Sequence, residues 1–380
     1  MSFASLGLSA PLIQAIEAHQ YTQPSPIQES AIPAVLAGKD LLGVAQTGSG
    51  KTAAFVLPML QLLQSKKAAK GRAVKMLVLV PTRELAMQIQ DVLRGFGSRL
   101  PRQVRSLAVY GGVSINPQMM RLNGTDVLVA TPGRLLDLIE HNAVQLSDVE
   151  MLVLDEADKM LNLGFQEEMN RIFGLLPRLR QTLLFSATVS GEVEALVANQ
   201  LKEPVTVRIE EETSVPELIN QVAYAVEAAR KGPFLRYLLK QEDMQQVLVF
   251  ASSIRTADNV VGKLIKHGIQ AAALHGDKSQ GARNDALIKF KAGKLRVLVA
   301  TDLASRGIDI KFLPHVINYE LPRSPKDYVH RIGRTGRAAA PGKAITFVAP
   351  EDAHHFKIIQ KKMGKQVEII ATDTIDLHGL

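Results

Sequence analysis

Short apolar runs recur along the chain at residues 40–45, 76–81, 107–110, 127–131, 151–154, 182–185 and 205–207, with amphipathic stretches between them. Runs this short and this rich in Val and Leu suit strands covered on both faces. The intervening stretches, such as Arg83 to Phe96, carry helical spacing, so the alternation predicts an α/β sheet of largely parallel strands flanked by helices. Polar and turn residues follow the runs, at the carboxyl strand ends where such sheets bind ligands. The rhythm breaks at Ile209-Glu210-Glu211-Glu212-Thr213-Ser214-Val215-Pro216, whose carboxylates, hydroxyls and proline lack apolar periodicity and read as a linker. It resumes at 245–251, 271–274, 297–301, 315–319 and 344–349. The pattern predicts two α/β domains, 1–208 and 219–380, joined by a short linker at 209–218.

A length of 380 residues is comfortable for two such cores. The net charge of +8 favours a polyanionic partner, nucleic acid first among them, although basic proteins without one exist. The chain has no cysteine, which excludes disulfides and thiolate metal sites and suits a reducing compartment. The start, Met1-Ser2-Phe3-Ala4-Ser5-Leu6-Gly7-Leu8, lacks the basic and apolar regions of a signal peptide. No apolar stretch approaches the roughly 20 residues that cross a bilayer. The expectation is a cytoplasmic protein with no membrane partner.

Chemistry concentrates first at Ala45-Gln46-Thr47-Gly48-Ser49-Gly50-Lys51-Thr52, placed after a strand and before a helix that should begin near Lys51. Glycines let backbone N–H groups converge on phosphate oxygens, and the helix terminus adds a favourable dipole. Lys51 would reach the β- and γ-phosphates and the Thr52 hydroxyl would ligate Mg²⁺. Ala45 stands where the usual pattern begins with glycine, and a plain glycine turn is the alternative. The second element is Asp155-Glu156-Ala157-Asp158, closing the apolar run Met151-Leu152-Val153-Leu154. Carboxylates at the end of a buried strand need a cation or donors to offset desolvation. Asp155 suits Mg²⁺ and Glu156 suits polarising an attacking water; the alternative is an acidic helix start stabilised by the dipole. The third is His330-Arg331-Ile332-Gly333-Arg334-Thr335-Gly336-Arg337. Arg334 and Arg337 would share a face if the segment is helical, and guanidiniums on a γ-phosphate contribute about 10³–10⁵ in rate. A solvated or phosphate-binding patch of Arg331, Arg334 and Arg337 is the other reading.

In this order the residues resemble the DEAD-box ATP-dependent RNA helicases of superfamily 2, over nearly the whole chain. Tyr21-Thr22-Gln23-Pro24-Ser25-Pro26-Ile27-Gln28 is similar to the family's Q motif, with Phe3 as the isolated upstream aromatic. The phosphate loop follows, then Pro81-Thr82-Arg83-Glu84-Leu85-Ala86, Gly111-Gly112, Thr131-Pro132-Gly133-Arg134, the Asp-Glu-Ala-Asp run and Ser186-Ala187-Thr188. The second half supplies Val249-Phe250, Gln280-Gly281-Ala282-Arg283, Ala300-Thr301-Asp302, Arg306-Gly307-Ile308-Asp309 and the arginine-rich segment. Ala45 is common at that position in the family. Leu274-His275-Gly276-Asp277-Lys278-Ser279-Gln280 and Arg337-Ala338-Ala339-Ala340 resemble the bacterial RhlE-like branch.

The resemblance implies two tandem RecA-like domains, the first carrying ATP and Mg²⁺. It implies nucleotide contacts from Tyr21, Gln28, Thr47, Gly48, Ser49, Gly50, Lys51 and Thr52, with metal at Thr52 and Asp155. Gln28 would read the adenine edge, Tyr21 would stack on the base unless it is a core aromatic, and Asp309 would contact the ribose. Catalysis would rest on Lys51, Asp155, Glu156, Arg334 and Arg337. Asp158, Ser186 and Thr188 would couple hydrolysis to RNA, although Ser186 and Thr188 also suit simple capping. Arg83, Gly112, Thr131 and Arg134, with Arg283 and Thr301, match RNA-contacting positions. Their chemistry suits sugar-phosphate rather than base contacts, so little sequence specificity is expected. The implied activity is RNA-stimulated ATP hydrolysis with local separation of short duplexes, the two domains closing when ATP and RNA are both bound. An ATP-controlled RNA clamp or remodelling factor carries the same motifs; a catalytically dead scaffold does not, since Lys51, Glu156 and the arginines are present.

Overall fold

The computed structural model describes residues 2–46, 48–209, 219–302, 313–335 and 342–379. The chain forms two compact units, Met1–Glu211 and Glu212–Leu380. The expected linker lies outside the described residues from 210 onward. Its first residue, Ile209, donates its N–H to the Val44 carbonyl at 2.9 Å and so extends the last strand of the first unit.

The first unit has a seven-stranded sheet of β1 Leu41–Val44, β2 Met76–Leu79, β3 Ser106–Val109, β4 Val127–Ala130, β5 Met151–Leu154, β6 Gln181–Ser186 and β7 Val205–Arg208. The order is β3-β4-β2-β5-β6-β1-β7, and every neighbouring pair is parallel. Parallel strands need covering on both faces, and the period-two alternation supplies it. Met76, Val78, Met151 and Val153 enter one core with Phe55, Leu85 and Ile89. Leu77, Leu79, Leu152 and Leu154 enter the other with Leu135, Leu138 and Met169. Helices α1 Ala10–Ala18, α2 Pro26–Leu36, α3 Lys51–Gln64 and α4 Arg83–Gly97 cover the first face. The short α5 Asn116–Arg121 sits near α6 Pro132–Glu140, α7 Ala157–Asn162, α8 Gln166–Leu175 and α9 Gly191–Gln200, which cover the second. Local signals set the boundaries. Thr82 caps α4 by accepting from the Leu85 N–H at 3.3 Å, and Ser190 caps α9 by accepting from the Val193 N–H at 3.4 Å.

This order places β6 between β1 and β5. The phosphate loop after β1, Ser186 at the end of β6 and the acidic pair after β5 therefore sit side by side at one carboxyl edge. The segments after β2, β3 and β4, which hold Arg83, Gly112 and Thr131, occupy the other half of that edge.

The second unit has seven parallel strands in the order β10-β11-β9-β12-β13-β8-β14. They are β8 Ile219–Ala225, β9 Val247–Ala251, β10 Ala271–Leu274, β11 Val297–Thr301, β12 His315–Asn318, β13 Gly342–Val348 and β14 Ile369–Ala371. The described helices are α10 Lys231–Gln241, α11 Ile254–Lys266, α12 Gln280–Lys291, α13 Pro325–Ile332 and α14 Ala353–Met363. The apolar pattern does not expose β8 and β14. Ile219 and Ala223 of β8 are buried, but Asn220 and Gln221 interrupt the run, and β14 lies exposed at the sheet edge. Among the described residues no helix is long and apolar enough to cross a membrane.

Candidate nucleotide and nucleic-acid sites

Gly48 and Gly50 both hold positive φ, 96° and 95°, a region open to glycine at little cost. Gly50 also has no room for a side chain, since a methyl there would stand 2.5 Å from Gln28 Nε2 and 2.7 Å from Ser25 Oγ. Gln28 is buried, donates from Nε2 to the Gly50 carbonyl at 3.1 Å and accepts at Oε1 from the Ser25 N–H at 3.0 Å. This side chain thus ties the Q-motif segment to the phosphate loop, a contact between distant segments that spacing alone does not reveal. Ser49 steadies the loop by donating its hydroxyl to the Gln46 carbonyl at 2.9 Å. Lys51 and Thr52 open α3, and Thr47 lies outside the described residues. Tyr21 is partly exposed and meets Phe3 and Phe96 edge-to-face, with centroids 6.4 and 5.7 Å away.

Lys51 is 6 % exposed, and its Nζ donates to the Ala45 carbonyl at 2.5 Å. Burial lowers its pKa, opposed by the nearby charges of Asp155 and Glu156. Asp155 is 2 % exposed; burial raises its pKa from 3.8 to about 6, opposed first by Lys51, and its Oδ1 accepts from the Glu156 N–H at 2.9 Å. A buried amine and a buried carboxyl that each carry a desolvation penalty suit an anionic phosphate and a divalent cation, which would relieve both. Among the described residues no cluster of three or more His, Cys, Asp or Glu side chains could hold a metal. The donor set fits Mg²⁺, which takes one or two carboxylates and completes its shell with water and phosphate oxygens.

Glu156 has φ 55° and ψ 47°, a left-handed conformation that a non-glycine residue adopts at a cost of about 1–2 kcal/mol. It immediately precedes α7, is buried, and accepts at Oε1 from Lys159 Nζ at 2.7 Å. Lys159 was not among the sequence candidates, although its position three residues after Glu156 on a short helix is a legible signal. Asp158 Oδ2 accepts from Thr188 Oγ1 at 2.9 Å, and Ser186 Oγ donates to the Thr188 carbonyl at 2.7 Å. These three residues join the ends of β5 and β6 in one hydrogen-bonded set.

On the other half of the edge, Gly112 has φ +75°, and the Arg83 guanidinium lies on its bare face: a methyl there would meet Nη1 and Nη2 at 2.5 Å. Arg134 is 7 % exposed, donates from Nη2 to the Val113 carbonyl at 2.8 Å, and pairs through Nε with Asp137 at 3.4 Å. Its Nη1 is buried without a hydrogen-bond partner among the described residues. Thr131 precedes α6 at its N-terminus. Arg83, Gly112, Thr131 and Arg134 therefore occupy one edge, with donors suited to a phosphate chain.

In the second unit Arg283 lies in the first turn of α12 and Thr301 ends β11. Helix α13 stops at Ile332 with Gly333 as its cap, so Arg334 lies beyond it. Arg337 and Asp309 lie outside the described residues. Arg331 is neither solvated nor part of an open patch. It is 2 % exposed, with Nε and Nη2 on the two oxygens of Asp302 at 2.6 and 2.7 Å and Nη1 on Asn318 Oδ1 at 3.2 Å and the Glu320 carbonyl at 2.7 Å. Its Cζ also stands 4.9 Å from the Phe250 ring centre.

A glycine-rich loop opening a helix beside a strand-terminal carboxylate pair, followed by a second parallel sheet, defines a two-unit nucleotide-binding protein. The DEAD/DEAH box helicase family matches residues 25–196, and the helicase conserved C-terminal domain matches residues 230–339. The chain is 44 % identical to the DEAD-box ATP-dependent RNA helicase CshA of Streptococcus pneumoniae over 369 residues, covering 97 % of this chain and 69 % of the relative. It is 40 % identical to the ATP-dependent RNA helicase CshA of Listeria monocytogenes over 375 residues, covering 98 % and 71 %. Among solved structures, Saccharomyces cerevisiae Dbp5 bound to RNA and ADP BeF3 matches with a TM-score of 0.83 at 31 % identity, covering 98 % of this chain and 95 % of that one. A DEAD box protein from Methanococcus jannaschii matches with a TM-score of 0.56 at 34 % identity, covering 98 % and 99 %. The chain belongs to the DEAD-box ATP-dependent RNA helicases, and its two parallel sheets are the family's tandem RecA-like domains.

Proposed function

We propose that this protein hydrolyses ATP in an RNA-stimulated cycle and uses the binding of ATP and RNA to separate short RNA duplexes locally. The observation that carries this reading is the joint burial of Lys51, Asp155 and Glu156 at the loop of Gly48 and Gly50. The loop N–H groups and Lys51 hold the phosphates, with Gln28 on the adenine and Tyr21 against the base. Thr52 and Asp155 would hold Mg²⁺, which when bound neutralises charge on the phosphate oxygens. Glu156 accepts a proton from the water whose oxygen attacks the γ-phosphorus as the bond to ADP breaks. Lys159 fixes one Glu156 oxygen, leaving the carboxylate a defined aim. Arg334 and Arg337 take the charge developing on the γ-phosphate, and Asp309 takes the ribose.

Arg83, Gly112, Thr131 and Arg134, together with Arg283 and Thr301, hold the sugar-phosphate chain without reading bases. The Asp158, Thr188 and Ser186 set links the end of the acidic strand to the neighbouring strand, so a change at the γ-phosphate is felt next door. RNA is preferred to DNA through its 2′-hydroxyls, and affinity falls with salt. A cytoplasmic location is part of the same reading, and so is a place in the RhlE-like branch, which rests on residues 274–280 and 337–340. A strand-separation assay on RNA duplexes of increasing length tests the function. Unwinding that fades beyond about one helical turn supports local separation. Unwinding that stays strong on long duplexes contradicts it, and RNA-stimulated hydrolysis without any unwinding favours a clamp.

A further inference from the structure

The second unit holds a cleft of about 420 Å³ between α10, α11 and the segments that follow β9, β12 and β13. That volume lies in the range of about 300–1,000 Å³ typical of small-molecule sites. Its distinctive feature is Arg236. The residue is 5 % exposed, its Nε is out of solvent, and no acceptor among the described residues takes a hydrogen bond from its guanidinium. Arg331, equally buried, has an acceptor for each of its three nitrogens, which shows how this fold satisfies a guanidinium it means to keep dry. An Nε held out of solvent without an acceptor carries a desolvation cost that an anion entering the cleft would relieve. Burial also draws the Arg236 pKa below its ordinary value, the direction an approaching anion would reverse.

Other donors converge on the same point. The backbone of Gly232, in the first turn of α10, is bare; a methyl there would lie 3.6 Å from Arg236 Nη1, 3.8 Å from Tyr319 Oη and 4.0 Å from Lys263 Cδ. Lys263 has no ion-pair partner among the described residues, and the N-terminus of α10 adds a favourable dipole. The carboxylates lining the cleft do not answer these cations. Glu320 accepts from the Ser252 N–H at 2.7 Å, the Ser252 hydroxyl at 2.5 Å and Thr256 Oγ1 at 3.3 Å. Asp352 stands 3.7 Å from Lys231, and Glu351 is exposed at the rim. Neither Arg236 nor Lys263 has an ion-pair partner among the described residues, and Leu235, Val260 and Leu264 form an apolar wall beside them.

We infer that this cleft is a binding site for a phosphate group carried by a small ligand, seated among Arg236, Lys263 and the Tyr319 hydroxyl. It is distinct from the proposed RNA positions: β12 and β11 flank β9 on opposite sides, and Thr301 ends β11 while Tyr319 follows β12. Two probes test it on the full chain. Crystals soaked in tungstate should show an anomalous peak within hydrogen-bond reach of Arg236 and Lys263. In solution, inorganic phosphate is titrated by calorimetry into the Lys51→Ala chain, which silences the phosphate loop. Affinity should fall at least tenfold when Arg236→Met is added, and again when Lys263→Met is added instead. Tungstate found only at the Gly48–Thr52 loop, or phosphate affinity indifferent to both substitutions, overturns the site. Should Arg236→Met fail to fold, Lys263→Met decides alone, because Lys263 is exposed. Phosphate that still binds when single-stranded RNA saturates the chain supports a separate site; competitive displacement by RNA assigns the cleft to the RNA groove and overturns it.

Discussion

Replacing Asp155 with asparagine should make the ligand-free protein more stable while abolishing hydrolysis. The carboxyl is almost fully buried, and its pKa stands at about 6 instead of 3.8. Two pKa units at about 1.4 kcal/mol each correspond to about 3 kcal/mol by which the fold disfavours the ionised form. That figure already contains the attraction of Lys51, which acts in the opposite direction. Asparagine imitates the neutral acid and retains an oxygen for the Glu156 N–H, so the substitution should recover most of the penalty. A raised folded-state pKa means that the folded protein holds this proton more tightly than the unfolded chain does. The penalty is therefore fully present above pH 6 and disappears as pH falls towards 4. For a unit of this size, 3 kcal/mol corresponds to roughly 6–12 °C in melting temperature. Thermal unfolding of the first unit, followed by circular dichroism without nucleotide or Mg²⁺, should show the variant melting higher at pH 8 and converging with the parent near pH 4. A variant no more stable at pH 8, or a difference that does not change with pH, refutes the reasoning.

Two further substitutions test other parts of the account. Gly112→Ala adds strain at φ +75° and displaces the Arg83 guanidinium; RNA affinity should fall about tenfold, about 1.4 kcal/mol, in fluorescence anisotropy, with ATP binding unchanged. Arg331→Lys cannot reproduce the fork on Asp302 or reach Asn318 and Glu320 together. It should destabilise the second unit by about 3 kcal/mol in urea unfolding, and a loss of activity without a loss of stability would contradict this structural role for Arg331.

The strands that the sequence makes plain are those buried on both faces, where every residue of a run is apolar: β2, β4 and β5 are read almost to the residue. β8 and β14 escape because part of each faces water, and the polar residues this permits erase the run. At the nucleotide site the order of motifs announces which residues matter, and the sheet order β5-β6-β1 explains why segments more than a hundred residues apart share one edge. What spacing does not convey is how the parts hold one another. Gln28 reaches Gly50 across 22 residues, and Arg331 reaches Asp302 across 29. Tertiary packing creates both contacts, and neither leaves a periodic trace. The arginine-rich segment shows the same limit. Equal spacing made Arg331, Arg334 and Arg337 look alike, while the end of α13 at Ile332 buries the first and leaves Arg334 beyond the helix.

The most direct test of the central claim is steady-state ATP hydrolysis with and without single-stranded RNA, on this chain and on Glu156→Gln. The account predicts strong stimulation by RNA that disappears in the variant, while ATP and RNA still bind. Equal rates with and without RNA, or stimulation that survives the loss of the Glu156 carboxylate, would contradict it.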